Sequence, residues 1–430
     1  MPVLLYETQQ KKKMRVLLVS FICWLTVIDL HGQDTLRISL QQADSLLMVR
    51  NLSLIASKYE VDMADARKVQ EKLFTNPELS TEWSLYNPSL GKWFDVGSNG
   101  QKIIQLEKVF RIAGQRKASI RLAEEEKKLT QWQYYELARS LKYELHVSYY
   151  RYYFLNNAIT NIISRLTLLK NLISIYEEQY AKGNISLQEL TRLKSVYFEI
   201  NNQVNETRTE LVRLQQTLQL LLADDRPVVP APAIAEGILG VLPTATLPEL
   251  VNRSLENRPE IQAAKSVENQ RALQYSLERK NGVPNLTAGG VYDQSGSYVN
   301  NYTALQVGLQ IPLFNRNQGR IQEAKLGIAQ SKVLLQSKQQ EVTREVESAW
   351  KIFQLLDAQY KAVGTDFEGQ LDLLSKGLVS NYSKNNLSLL EFTDMFESYN
   401  SSIIELNQLK ADLTKSYEEL NYAVGEDLQR

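Results

Sequence analysis

The side chains able to act as nucleophiles, soft metal ligands or near-neutral proton carriers are few: one cysteine, two histidines and five methionines in 430 residues. Cys23 and His31 fall in the first 32 positions, which leaves His146 with the scattered Met48, Met63 and Met395. A metal site needs three or four ligands at short, regular spacings. These are too widely spread to supply one, and His146, among Tyr143, Tyr149 and Tyr150, reads as a packed helix side chain. The motifs G-x-S-x-G, G-x-x-x-x-G-K and H-E-x-x-H are absent. The chain is therefore not expected to be an enzyme, and neither a cofactor nor a bound metal is implied. Lys+Arg and Asp+Glu balance at 49 each, so no global field draws in nucleic acid.

What the sequence does carry is architecture. Glycine (19) and proline (11) are scarce, and runs rich in Leu, Gln, Glu, Lys and Ser suit long helices. At the N-terminus, Lys11, Lys12, Lys13 and Arg15 precede the apolar run Val16 to Ile28 and then Gly32. That order predicts a secretory signal peptide over 1–32. The apolar run is shorter than the ~20 residues of a spanning helix.

Beyond it, one pattern is used twice. Leu52 to Ala56 parallels Pro259 to Ala263, and Asn76-Pro77-Glu78-Leu79 parallels Val283-Pro284-Asn285-Leu286. Val109-Phe110 with Gly114 matches Leu313-Phe314 with Gly319, Lys182-Gly183 matches Lys376-Gly377, and Ile185 to Leu190 matches Leu387 to Phe392. This order predicts a first repeat over 33–222, a proline-rich linker over 223–248 and a second repeat over 249–430.

Each repeat holds two heptad segments. In the last, Phe392, Phe396, Tyr399, Ile403, Leu406, Leu413, Tyr417, Leu420 and Val424 form a seam broken only by Lys410. A helix from about Gly114 to Lys182 would reach ~100 Å. The paired helices predict antiparallel hairpins with tips at Gly183 and Gly377, the second tip longer by 378–385. Ahead of each lies a segment of period two. In Tyr302 to Ile311 the odd set is Thr303, Leu305, Val307, Leu309 and Ile311, largely apolar, against the even set Tyr302, Ala304, Gln306, Gly308 and Gln310, largely small or polar. With Leu286 to Gln294, Glu78 to Tyr86 and Gln101 to Phe110, this makes two hairpins of about membrane-crossing length. Four strands cannot close a barrel, and an open edge is untenable in lipid, so a membrane reading requires several chains. Trp83 and Trp93 stand where an interfacial aromatic girdle would lie, or pack ordinarily.

Two repeats of helix, β-hairpin and long helical hairpin after a signal peptide resemble the TolC-like outer-membrane efflux proteins. The most specific words are Ile311-Pro312-Leu313-Phe314-Asn315-Arg316-Asn317-Gln318-Gly319 and Leu387-Ser388-Leu389-Leu390-Glu391-Phe392, which look like the heavy-metal-efflux branch. The resemblance implies a mainly α fold: an α-helical barrel and a shared trimeric transmembrane β-barrel, four strands per chain. It also implies a passive exit duct in the outer membrane with its helical tunnel in the periplasm. Its partners would be two further copies of the chain, a periplasmic adaptor protein, a proton-driven inner-membrane pump and outer-membrane lipid. By the same resemblance, Glu391 and Asp394, with Glu189 as first-repeat counterpart, would ring the constricted end, and Tyr180 would stand near the closed entrance. Leu374 occupies the equivalent position before Gly377. Lys182, Gly183, Lys376 and Gly377 would meet the adaptor at the tips. Paired acids at i, i+3 also suit a solvated helix face, and a tip glycine suits a plain turn. Two rival readings stand: the duct of a type I protein secretion system, and a secreted coiled-coil scaffold whose β segments would be soluble loops.

Overall fold

The computed structural model describes residues 35–98, 100–231, 244–296, 299–364, 366–384 and 386–428. The predicted signal peptide and 232–243 of the proline-rich stretch lie outside these residues. The first repeat runs β1 (Leu36–Ile38), α1 (Leu40–Arg50), α2 (Leu52–Glu71), β2 (Glu78–Trp83), β3 (Tyr86–Asn87), β4 (Lys92–Trp93), β5 (Lys102–Phe110), α3 (Gln115–Ala181) and α4 (Leu187–Leu222). After β6 (Val228–Pro230), the second runs α5 (Leu247–Asn257), α6 (Pro259–Asn281), β7 (Leu286–Asp293), β8 (Tyr302–Leu309), α7 (Gln318–Val363), α8 (Phe367–Ser383) and α9 (Leu389–Val424).

The 67 residues of α3 contain no glycine or proline, so nothing interrupts its i to i−4 ladder over ~100 Å. It starts after Gly114, whose φ of 74° suits a residue without a side chain. The predicted α9 seam from Phe392 to Val424 is buried along its length, and the seams assemble two cores. One joins α1, β1 and β6 to the middle of α3 and the ends of α7 and α9. The other lies between α3, α4, α8 and α9 toward the tips. Lys410, which breaks the seam, is also buried, its Nζ donating to Glu368 of α8 at 2.6 Å.

The two predicted β-hairpins join into one antiparallel sheet, ordered β2-β5-β7-β8. Residues directly opposite one another share a face. One face holds the rows Leu79, Leu106, Gly290, Leu305 and Thr81, Ile104, Tyr292, Thr303. The other holds Glu78, Glu107, Gly289, Gln306 and Ser80, Gln105, Val291, Ala304. The first face is apolar across all four strands, and both edges, β2 and β8, are open. Trp83 closes the apolar face at its helix-distal end, opposite Lys102, while Trp93 sits on the small β3-β4 hairpin against Tyr86, with centroids 5.0 Å apart.

Three expectations are corrected. Gly377 is not a turn residue: it lies inside α8, and the chain does not turn before Lys384. The second tip is consequently no longer than the first, because 378–383 continues the helix; a single glycine costs a helix only ~1 kcal/mol, too little to end one held by core contacts. The ascending arm breaks earlier, at Gly364 (φ 83°), which caps α7. The proline-rich stretch is also more than a connector, since β6 pairs in parallel with β1 and Val228 is buried. Pro230 is tolerated at a strand's end because the ladder there needs no N–H from it.

Candidate gate at the helical hairpin tips

Both helical hairpins turn in the same way. At the end of α3 the Gly183 N–H donates to Tyr180 O and the Asn184 N–H to Gln179 O, each at 2.9 Å, which satisfies carbonyls the helix leaves open. Ser186 then opens α4 with a capping box: its Oγ accepts from the Glu189 N–H at 3.2 Å, and the Glu189 carboxylate accepts from the Ser186 N–H at 2.8 Å. The second tip repeats this two hundred and two residues later. The Asn386 N–H donates to Asn381 O at 2.9 Å, Ser388 Oγ accepts from the Glu391 N–H at 3.3 Å, and Glu391 accepts from the Ser388 N–H at 2.8 Å.

Under that register Lys182 corresponds to Lys384, Asn184 to Asn386 and Tyr180 to Tyr382. Lys376 and Gly377 are therefore misplaced as tip residues; they sit on α8, with the Lys376 side chain exposed. The tyrosine that seemed missing from the second repeat is Tyr382, not Leu374. The two tyrosines differ in setting. Tyr180 is 42% exposed, whereas the Tyr382 hydroxyl hydrogen-bonds that of Tyr176 and its ring stacks on Phe392 at 4.5 Å. Burial, reinforced by that bond, pushes the Tyr382 phenol well above its ordinary range.

Of the predicted acidic residues, Glu189 is half-buried and Glu391 exposed, and both hold their capping boxes. The bonds from the backbone N–H and hydroxyl of Ser186 and of Ser388 keep both carboxyls below the usual range. Asp394 is ion-paired with Arg192 of α4, whose Nε also donates to Thr393 Oγ1 at 2.8 Å. Sequence reasoning missed Arg192, Glu199 and Glu397. Glu397 is pushed up by partial burial and then by Glu199 and Asp394, against the pull of Arg192. The signal was present: Glu391, Asp394 and Glu397 recur every three residues along α9, and Asp394 and Glu397 meet Arg192 and Glu199 of α4. Glu391 thus caps its own helix, while Asp394 is tied across to a cation on α4, Arg192.

His146 is packed, as its neighbours suggested, with Nε2 2.8 Å from Asp44 and Nδ1 3.1 Å from Glu418. Among the described residues no three His, Cys, Asp or Glu side chains converge on a metal position, and no helix is long and apolar enough to cross a membrane. The latter says nothing of the sheet.

Residues 250–368 match the outer membrane efflux protein family. The match covers the second half of the chain from α5 to the start of α8. Over 287 residues the chain is 24% identical to the cobalt-zinc-cadmium resistance protein CzcC of Cupriavidus metallidurans, covering 67% of this chain and 66% of that relative, just under two thirds of its length. The fold is that of crystallised CusC, at a TM-score of 0.72 and 19% identity over 94% of this chain and 96% of that one. The Campylobacter jejuni CmeC outer membrane channel superposes at a TM-score of 0.71 with 15% identity, covering 90% of this chain and 87% of that one. The open Neisseria gonorrhoeae MtrE outer membrane channel does so at 0.68 with 18% identity, covering 91% and 90%.

Proposed function

We propose that this chain is the outer-membrane exit duct of a tripartite efflux system, a homotrimer that moves its substrate passively. The observation that carries this reading is the register-defined sheet: one face apolar across four strands, the other polar, and both edges open. In lipid such edges must be paired, and three copies give a twelve-stranded barrel with its polar face toward the lumen. The long helices, of which α3 alone reaches ~100 Å, then extend the duct away from the membrane, across the periplasm. A periplasmic adaptor docks at the two tips, at Lys182 and Gly183 and at Lys384 and Asn386, and a proton-driven inner-membrane pump supplies the energy. The likeness to CzcC supports metal cations as cargo. The stripe of Glu391, Asp394 and Glu397 with Glu199 favours cations in a constriction, because like charges there focus the field; Arg192 moderates it.

The test is the protein mass of the detergent-solubilised, membrane-derived protein by light scattering. Three chains are expected; a detergent-free monomer or dimer in the soluble fraction would overturn the duct reading. Planar-bilayer conductance tests the stripe. Cation selectivity should fall in Glu391→Gln and fall further in Asp394→Asn, which leaves Arg192 unopposed. Unchanged selectivity in both would remove the stripe from the conduction path.

A further inference from the structure

The apolar face of the sheet has a charged margin. The cross-strand register places Lys108 on that face, opposite Ala288 and between Leu106 and Phe110. Its ammonium lies 5.6 Å from the Phe74 ring centroid and 5.7 Å from that of Phe110. Arg116, in the first turn of α3, lays its guanidinium on the same Phe74 ring at 3.9 Å and donates through Nε to Lys72 O at 3.1 Å. The Phe74 ring is 69% exposed. Among the described residues neither cation is paired with a carboxylate. The neighbouring Glu107 belongs by register to the opposite face, where Gln105 donates to it at 3.0 Å.

A lone lysine within an apolar band is costly unless its stem lies along apolar surface and its head reaches a polar layer. Here the stem does lie over aromatic rings, the head stands at the end of the band nearest the helices, and a second cation is fixed beside it. We propose that Lys108 and Arg116, gathered on the Phe74 ring, bind the phosphate of an anionic phospholipid in the leaflet nearest the helices. This rests on the reading of the sheet as lipid-facing. The chemistry fits a headgroup at that depth: an ammonium as point charge, a guanidinium fork for phosphate oxygens, and exposed aromatic carbon against the glycerol and first acyl carbons.

The full chain, purified in a nonionic detergent, is titrated with dioleoyl phosphatidylglycerol, dioleoyl phosphatidylcholine or inorganic phosphate, and bound lipid per chain is read by native mass spectrometry. The expected result is tighter binding of phosphatidylglycerol than of phosphatidylcholine, by about fivefold per cation. Lys108→Gln should remove about one such factor, the Lys108→Gln/Arg116→Gln pair should abolish the preference, and Lys108→Arg should retain it. Equal binding of the two lipids, an unchanged preference in Lys108→Gln, or equally effective competition by inorganic phosphate would overturn the proposal. Failure of the duct reading looks different: a protein soluble without detergent that takes up no lipid of either kind. A detergent-dependent trimer without lipid preference refutes the headgroup site alone.

Discussion

The joint between the two leading helices is built from a neutral amide in the first repeat and from a buried guanidinium in the second. Asn51 and Arg258 serve the backbone alike, since Asn51 Nδ2 donates to Leu221 O at 3.0 Å and Arg258 donates to Ala423 O at 3.2 Å. In both, the long helix whose carbonyl is used ends on a left-handed residue, Ala223 (φ 48°) or Gly425 (φ 84°). Beyond that they diverge. Asn51 uses its oxygen locally, accepting from the Ser53 and Leu54 N–H groups that open α2. Arg258, only 1% exposed, reaches Glu345 of α7 at 2.6 Å and Glu260 of α6, and Glu260 also accepts from Arg139 of α3 at 2.7 Å. The guanidinium of Arg139 in turn lies 3.9 Å from the Tyr422 ring centroid on α9. A duplicated backbone geometry therefore does not demand duplicated chemistry. One joint is a local cap, and the other ties the second repeat to α3 of the first by charge.

The largest expected effect comes from breaking the charged joint. Arg258→Met removes a buried guanidinium from Glu345, which can turn to solvent, and from Glu260, which keeps Arg139; it should cost about 3 kcal/mol, whereas Asn51→Ala removes a cap and should cost about 1–2 kcal/mol. Urea unfolding of both variants in the same detergent checks this, and equal losses would erase the distinction between the joints.

A second electrostatic tie between repeats is His146 of α3, held between Asp44 of α1 and Glu418 of α9. Burial works against its charge, but the bonds to both carboxylates prevail and raise its pKa to about 9. A raised folded-state value means that its stabilisation, up to about 3 kcal/mol, is complete below the ordinary value near 6.5 and is lost as pH rises through about 9. Stability followed from pH 6 to 10 should therefore decline more in the native protein than in His146→Gln; parallel curves would show that this histidine carries no such charge.

Gly425 sharpens the comparison on a smaller scale. A Cβ there would approach Arg258 Cγ to 2.9 Å at a positive φ, so Gly425→Ala should cost about 2 kcal/mol. Ala223→Gly relieves the same backbone strain beside the smaller Asn51 and should be neutral or stabilising by under ~1 kcal/mol. A shift of thermal midpoint in the same direction for both variants would contradict this account. At the tips, by contrast, the repeats are alike, and Ser186→Ala and Ser388→Ala should each cost about 1 kcal/mol through loss of the capping boxes. Hydrogen exchange confined to the first turns of α4 and α9 would register it, and protection unchanged at both would show the caps to be redundant.

Long helices and strands were legible because their signals are local and periodic. The seam from Phe392 to Val424 and the alternation of Leu305, Val307 and Leu309 each repeat over many residues, so chance cannot imitate them. The second tip was misjudged for the opposite reason. A glycine is a weak mark of a turn, and aligning Gly377 with Gly183 overrode the stronger Ser-x-x-Glu boxes that share one spacing in both repeats. Arg192 escaped notice because its value depends on Asp394, which is two hundred and two residues away in sequence.

The sequence by itself determined the two repeats, the heptad seams and the amphipathic strands, because each follows from side-chain type at a short fixed spacing. Only the tertiary structure decided which charges meet. Arg258 with Glu345, His146 with Asp44 and Glu418, Arg192 with Asp394, and Lys108 and Arg116 on Phe74 are contacts between segments 34 to 272 residues apart. No periodicity encodes such pairings; they exist because burial of the seams brings those helices and strands side by side.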